Sequence, residues 1–195
     1  MKVNESEIKT NLKLHEQGGH KNIVKLFEII DDDNEEDKLV LVMEFCSQKQ
    51  MLNWSDEQVK FVPNEKMVDS NGFLPESLIK KAIVDAAAGL DFMHNTGVLH
   101  RDVKPQNILI SKSGEAKLVD FGVSKVLEDP ENDAVKTTEG TYHFMAPEAC
   151  DPDIEQFSGR SSDAWELGIT LYCFLYNKVP FMADTDYLIM ETIRT

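Results

Sequence analysis

Residues 98–107, VLHRDVKPQN, put a histidine, an arginine, an aspartate, a lysine and an asparagine into ten positions between apolar stretches. Polar groups crowded against a core are costly unless each finds a partner. The segments on either side must therefore hold this cluster at a rim, which constrains any fold the chain adopts. Upstream, Leu78, Ile79, Ala82, Ile83, Ala86, Leu90 and Met93 recur at three and four residues. With Pro75 where a first helical turn tolerates it and Asn95-Thr96-Gly97 as a stop, they predict an amphipathic helix. Val98-Leu99 reads as a short strand, and residues 108–110 and 116–119 predict a hairpin across Ser111-Lys112-Ser113-Gly114.

Such a hairpin sets Asn107 just before one strand and Asp120 just after the other, with Asp102 on the loop leading to the same end. Two carboxylates and an amide oxygen converging on a rim make a hard-oxygen site suited to Mg²⁺. Each alone reads as a cap or an Asx-turn. The three together with Lys104 read as functional.

Elsewhere, residues 23–30 and 39–45 are rich in branched and aromatic side chains and predict two strands. Between them, residues 31–37 carry six acids in seven positions, which predicts a solvated loop because like charges resist burial together. Residues 47–73, broken by Pro63, Asn71 and Gly72, predict a loop with one helical turn at most. Residues 129–158 predict a long irregular loop, of the sort that is usually functional or disordered. The helix expected from 162 to 176 is apolar on nearly every side, through Ala164, Trp165, Leu167, Ile169, Leu171 and Phe174, and is expected inside a core.

The 195 residues suffice for one domain, or a domain with a small lobe. Thirty-five acids against twenty bases leave a net charge of −15, which disfavours nucleic acid and anionic membranes as partners. It permits a basic protein substrate, although acidity more often serves solubility. Cys46, Cys150 and Cys173 form no CxxC pair, which suits a reducing compartment and argues against a zinc site. The first thirteen residues lack the apolar core of a signal peptide, and the apolar block 164–176, interrupted by Glu166, is too short to span a bilayer. A cytoplasmic protein is expected.

HRDVKPQN at 100–107, DFG at 120–122 and APE at 146–148, followed by SDAWELG and VPF, resemble the eukaryotic protein kinases. The fold this implies is α+β and kinase-like, with a partial small β lobe and a mostly helical large lobe. Residues 1–46 would supply the C-helix, the family's fourth and fifth strands and a hinge at 43–46. Residues 47–195 would supply the catalytic loop, the activation segment and the F-helix, stopping at the G-helix.

The resemblance further implies that Asp102 orients or accepts the proton of a substrate hydroxyl and that Lys104 neutralises the transferred phosphoryl group. A lysine at 104 is similar to the serine/threonine branch. Asn107 and Asp120 would hold Mg²⁺ on the phosphates of ATP. Met43, Glu44 and Cys46 would meet adenine, Asp163 would anchor the catalytic loop, and His100 and Phe121 would join the stacked column between lobes. Gly122 and Glu148 belong to the DFG and APE triplets. Thr141 would stand beside Asp102, and Thr137 and Thr138 are candidate phosphosites facing Arg101.

A narrower similarity, over residues 22–195, is to the calcium/calmodulin-dependent kinase kinases and other kinases upstream of AMP-activated kinase. It implies a protein substrate that is itself a kinase, while no basic amphipathic segment supports calmodulin binding. Against the family pattern, this chain has no glycine-rich phosphate loop and no strand lysine, and Glu148 lacks its usual arginine partner. Glu7 fits best as the C-helix glutamate, with HEQGG as an insertion and with Thr10 and Asn11 where apolar residues are expected. The expected function is a fragment of a serine/threonine kinase that transfers phosphate poorly alone. The alternative is an inactive kinase-like scaffold or regulatory binding protein.

Overall fold

The computed structural model describes residues 5–31 and 39–195; the acidic stretch expected to form a solvated loop falls almost wholly outside them. Helix α1 (Glu5–Glu16) leads to an antiparallel pair, β1 (Leu26–Asp31) and β2 (Leu39–Met43). Short strands β3 (Lys49–Gln50), β4 (Leu52–Ser55) and β5 (Lys60–Pro63) precede the long helix α2 (Glu76–Asn95). Then come β6 (Val98–Leu99), the hairpin β7 (Ile108–Ile110) and β8 (Ala116–Leu118), and β9 (Lys125–Val126). The remainder comprises β10 (Ala134–Val135), α3 (Pro147–Cys150), β11 (Phe157–Ser158), α4 (Gly159–Tyr176) and α5 (Asp186–Arg194).

Helix α2 follows the expected pattern. Pro75 occupies its N-cap, and Ile79, Ala82, Ala86, Leu90 and Met93 are buried along one stripe. At its end Thr96 donates its hydroxyl to the carbonyls of Phe92 and Met93, and Gly97 turns the chain with φ +71°. Gly89 has a packing reason: a Cβ there would lie 2.8 Å from the Asn22 carbonyl and 3.0 Å from Leu118. The helix thus backs onto β8 without a spacer, and it fixes the hairpin by presenting the Asp85 carboxylate to the Ala116 N–H at 2.9 Å.

Three regions differ from expectation. Residues 47–73 are not a plain loop: β4 pairs with β5, and β3 pairs with β7 through Lys49↔Ile110 and Gln50↔Leu109. Met51, Leu52 and Phe61 are almost wholly buried there. Runs of two to four residues are too short to display a period, and the partner of β3 lies sixty residues away. Within 129–158, β10 pairs with β11, a 3₁₀ turn spans Tyr142–Phe144, and α3 follows.

Helix α4 begins three residues earlier than expected, because Ser158 caps it by accepting the Ser161 N–H, and Asp133 accepts the Arg160 N–H. Nor is α4 apolar and enclosed all round. Ala164, Leu175 and Tyr176 are exposed, whereas Ser162, Asp163, Glu166 and Thr170 are buried. Asp163, Glu166 and Thr170 turn inward because they face loop backbone, whereas Ile169, Cys173 and Phe174 join the hydrophobic core.

Candidate active site

Hairpin pairing and a short 3₁₀ turn at Pro105–Asn107 set the geometry of the polar cluster. The Val119 N–H donates to the Asn107 carbonyl at 3.0 Å, so the two strand ends meet at one rim as expected. Asn107 Nδ2 donates to both the backbone carbonyl and Oδ2 of Asp102, at 2.9 and 3.0 Å. Lys104 Nζ lies 2.8 Å from the same Oδ2 and 2.9 Å from Thr141 Oγ1, whose hydroxyl in turn donates to Asp102 Oδ1 at 2.8 Å. Asp102, Lys104, Asn107 and Thr141 therefore form one closed network, with both carboxylate oxygens of Asp102 engaged.

The segment carrying this network is held from beneath by α4. Asp163, wholly buried, accepts the His100 N–H at 3.0 Å, the Arg101 N–H at 2.7 Å and His94 Nε2 at 2.7 Å. Glu166 accepts the Val103 N–H at 2.7 Å, and the Thr170 hydroxyl donates to the Val103 carbonyl at 3.1 Å. Positions 163, 166 and 170 lie on one face of a helix, so one stripe grips the loop backbone at His100, Arg101 and Val103. Arg101, with φ +69°, is in the left-handed region that non-glycine residues enter only when their surroundings hold them there.

His100 and Phe121 are both fully buried and meet edge to face, with ring centroids 5.6 Å apart. The Asp102 N–H points at His100 Nδ1 (3.3 Å), so the ring proton belongs on Nε2, which donates to the Val119 carbonyl. Burial, opposed by the Asp163 and Asp102 carboxylates, holds this imidazole below its ordinary pKa and hence neutral.

Asp120 stands apart from the network. It is exposed, has φ +64°, and its Oδ1 accepts the Gly122 N–H at 3.3 Å. Glu7 on α1 faces it: burial, and next the Asp120 charge, push the Glu7 carboxyl above its ordinary value. Thr10 and Asn11 do occupy buried positions on α1. Among the described residues, no group of three or more His, Cys, Asp or Glu side chains gathers to enclose a metal.

At the end of β2, Met43 is half-buried against the core. Glu44 is fixed by its side chain, which accepts Lys117 Nζ at 3.0 Å; Lys117 also donates to the Lys21 carbonyl at 2.7 Å. Cys46 is buried, its carbonyl accepts the Lys49 N–H at 3.1 Å, and burial pushes its thiol up. A cavity of about 590 Å³ lies behind this strand end, lined by Leu14, Val24, Leu26, Glu44 and Lys117. It reaches none of Asp102, Asn107 or Asp120.

The exposed Thr137 contacts Arg101 through its carbonyl and hydroxyl at 3.4 Å each, Glu139 lies 3.7 Å from the same guanidinium, and Thr138 donates to the Ala149 carbonyl. Glu148 is half-buried in the first turn of α3. Gly140, at φ +102°, passes so close to the loop that a Cβ would sit 2.3 Å from the Arg101 carbonyl oxygen. Gly140→Ala must displace one backbone or the other, and we expect about 1–3 kcal/mol of lost stability in thermal unfolding.

Three residues of consequence carried no local signal. Glu166, Thr170 and Asp133 act on backbone 27 to 67 residues away. Only the placement of Glu166 inside an otherwise apolar helix hinted at a buried partner.

This architecture is that of a protein kinase. The family model of the protein kinase domain matches residues 1–195, and the chain belongs to that family. It is 33% identical over 204 residues to the serine/threonine-protein kinase TOS3 of Saccharomyces cerevisiae, covering 99% of this chain and 35% of that protein. It is 37% identical over 166 residues to the serine/threonine-protein kinase GRIK2 of Arabidopsis thaliana, covering 85% and 37% respectively. With a calcium/calmodulin-dependent protein kinase kinase of Caenorhabditis elegans it shares 38% identity over 164 residues, 84% of this chain and 27% of that protein. The chain spans well under half the length of these relatives.

Proposed function

We propose that this chain is the catalytic part of a serine/threonine kinase that transfers the γ-phosphate of ATP to hydroxyls on a protein. The closed network of Asp102, Lys104, Asn107 and Thr141 is the observation that carries this reading, because a scaffold has no use for it. In this reading residues 1–46 form the small lobe's share and residues 47–195 the large lobe.

Asp102 orients the incoming hydroxyl and accepts its proton. Phosphoryl transfer depends mainly on positioning and electrostatics. Lys104, already 2.8 Å from Asp102, brings its positive charge to the transferred group. Thr141 and Asn107 hold the Asp102 carboxylate in one orientation.

Mg²⁺ bound with ATP would supply charge neutralisation on the phosphates. Mg²⁺ typically takes one or two protein oxygens and completes its shell with phosphates and water. The donor set fits that habit: Asn107 has its Nδ2 committed to Asp102, leaving Oδ1 for a cation, and Asp120 offers an exposed carboxylate. Glu44 and Cys46 backbone groups, with Met43 behind, would receive adenine. His100 and Phe121 stack beneath. Thr137 and Thr138 are the candidate phosphosites, Thr137 being the one that touches Arg101.

The nematode relative is named a kinase kinase, which supports a downstream kinase as substrate. No described helix is long and apolar enough to cross a membrane. Together with the acidic charge, this supports a cytoplasmic protein acting on protein, not on nucleic acid or lipid. Nothing in this segment supports calmodulin as a partner.

Radiolabelled ATP with a generic basic protein substrate tests the reading on the whole protein that carries this chain. Turnover that requires Mg²⁺ is expected, and its absence in protein that binds nucleotide would leave the scaffold alternative standing. In the same assay Asp120→Asn is expected to raise the Mg²⁺ concentration for half-maximal rate at least about tenfold, the scale on which lost metal contacts act. An unchanged Mg²⁺ titration would remove Asp120 from the metal site.

A further inference from the structure

Asp163, Glu166 and Thr170 occupy one stripe of α4, and all three meet the loop that carries Asp102. The family resemblance assigns a role to the first only. Glu166 is 3% exposed, yet its Oε2 accepts the Val103 N–H at 2.7 Å, the shortest of the bonds that tie Val103 to α4. Val103 itself is wholly buried and stands between Asp102 and Lys104. The peptide plane that carries its N–H joins Asp102 to Val103, and the plane that carries its carbonyl, held by Thr170, leads on to Lys104, so the grip on Val103 bears on where both of those side chains leave the backbone.

We propose that Glu166 is a positioning residue of the active site: as a hydrogen-bond acceptor for the Val103 N–H, it sets the separation and orientation of Asp102 and Lys104. It touches neither substrate nor nucleotide, and acts only through the loop backbone. A carboxyl is an expensive group to bury, and a hydrophobic residue of similar size would fill the space. What it adds there is an acceptor where the backbone presents a donor that would otherwise be orphaned.

The neighbours of Glu166 indicate which property matters. Asp163 lies one turn back on the same helix, Asp102 and Arg101 face it from the loop, and Glu139 of the following segment shares Arg101. Burial, then the Asp163 charge, hold the Glu166 carboxyl well above its ordinary value, against the opposing Val103 N–H and Arg101. The bond to Val103 asks only for an acceptor oxygen at that point, which an amide also supplies.

Two variants of the whole protein separate the roles. Glu166→Gln keeps length and acceptor; Glu166→Met keeps length and loses the acceptor. Backbone hydrogen exchange over residues 99–107 is expected to speed up about tenfold in Glu166→Met, in line with one lost buried bond, and less than twofold in Glu166→Gln.

The kinetic half of the inference rests on the kinase reading above. There Glu166→Met is expected to lower kcat about tenfold with KM for ATP unchanged, and Glu166→Gln to restore it. Unchanged exchange in Glu166→Met, or Glu166→Gln as impaired as Glu166→Met, overturns the proposal. If Glu166→Met does not fold, exchange in Glu166→Gln decides alone, and a tenfold rise there is the overturning result. A wild-type protein without phosphoryl transfer whose exchange still responds as expected would sink the kinase reading and leave the positioning role intact.

Discussion

Replacing Asp102 by Asn is expected to lower phosphoryl transfer by about a hundredfold or more, the range over which a positioned proton acceptor and correct alignment contribute. Oδ1 of Asp102 receives the Thr141 hydroxyl, and Oδ2 receives both Asn107 Nδ2 and Lys104 Nζ. An asparagine keeps the shape but offers only one acceptor oxygen. Turned with its NH₂ toward the Lys104 ammonium and the Asn107 amide, it confronts other donors; turned the other way, it makes the Thr141 hydroxyl accept instead of donate and leaves Lys104 a neutral oxygen in place of a carboxylate.

The variant therefore loses the acceptor for the substrate proton and also releases Lys104. Because the carboxylate is held at the rim by hydrogen bonds and not by packing, thermal unfolding should shift only slightly. Single-turnover transfer from radiolabelled ATP, read beside the unfolding midpoint, checks both halves. Transfer within tenfold of the unmodified protein, in a folded variant, would show that Asp102 is not the group on which the chemistry depends.

What the chain announced in advance was its local structure. The three/four spacing from Leu78 to Met93, the Gly97 stop and the Ser111–Gly114 turn all rest on neighbours within a few residues, and each is where periodicity and turn chemistry put it. The meeting of Asp102, Lys104 and Asn107 was legible for the same reason, since only five residues separate first from last.

What stayed hidden depends on pairing across distance. Strand β3 exists because Lys49 and Gln50 find Ile110 and Leu109, and nothing in QKQ signals that. Likewise Ser162, Asp163, Glu166 and Thr170 look like solvent-facing interruptions of an apolar helix. They are buried, and Asp163, Glu166 and Thr170 are so because the surface they meet is loop backbone, whose N–H groups the two carboxyls accept and whose Val103 carbonyl Thr170 satisfies. A hydropathy pattern measures preference for water against oil, and it is silent about a core made of N–H groups. The corrected reading of α4 and the role argued for Glu166 follow from the same fact.

Asp163→Ala is expected to cost about 3–5 kcal/mol of stability, the range for stripping one partner from a buried charged network. Three donors converge on its two oxygens: the His100 and Arg101 N–H groups and His94 Nε2. Alanine leaves all three without this acceptor, the His100 N–H in full burial and the other two in part, and a buried orphaned donor carries a penalty of about 1–3 kcal/mol. The loss also bears on Arg101, whose φ of +69° is held in place by that carboxylate on one side and by Gly140 on the other.

With the acceptor gone, the strained residue can relax toward an ordinary conformation and carry Asp102 out of its network. Set against the roughly 5–15 kcal/mol that keeps a domain folded, the loss is large. At about 2–4 °C per kcal/mol for a domain of this size, the unfolding midpoint should fall by about 6–20 °C. Asp163→Asn, which keeps one acceptor for the two backbone donors, should fall between the variant and the unmodified protein. A midpoint for Asp163→Ala within about 2 °C of the unmodified protein would mean that the loop is held by Glu166 and Thr170 and does not need Asp163.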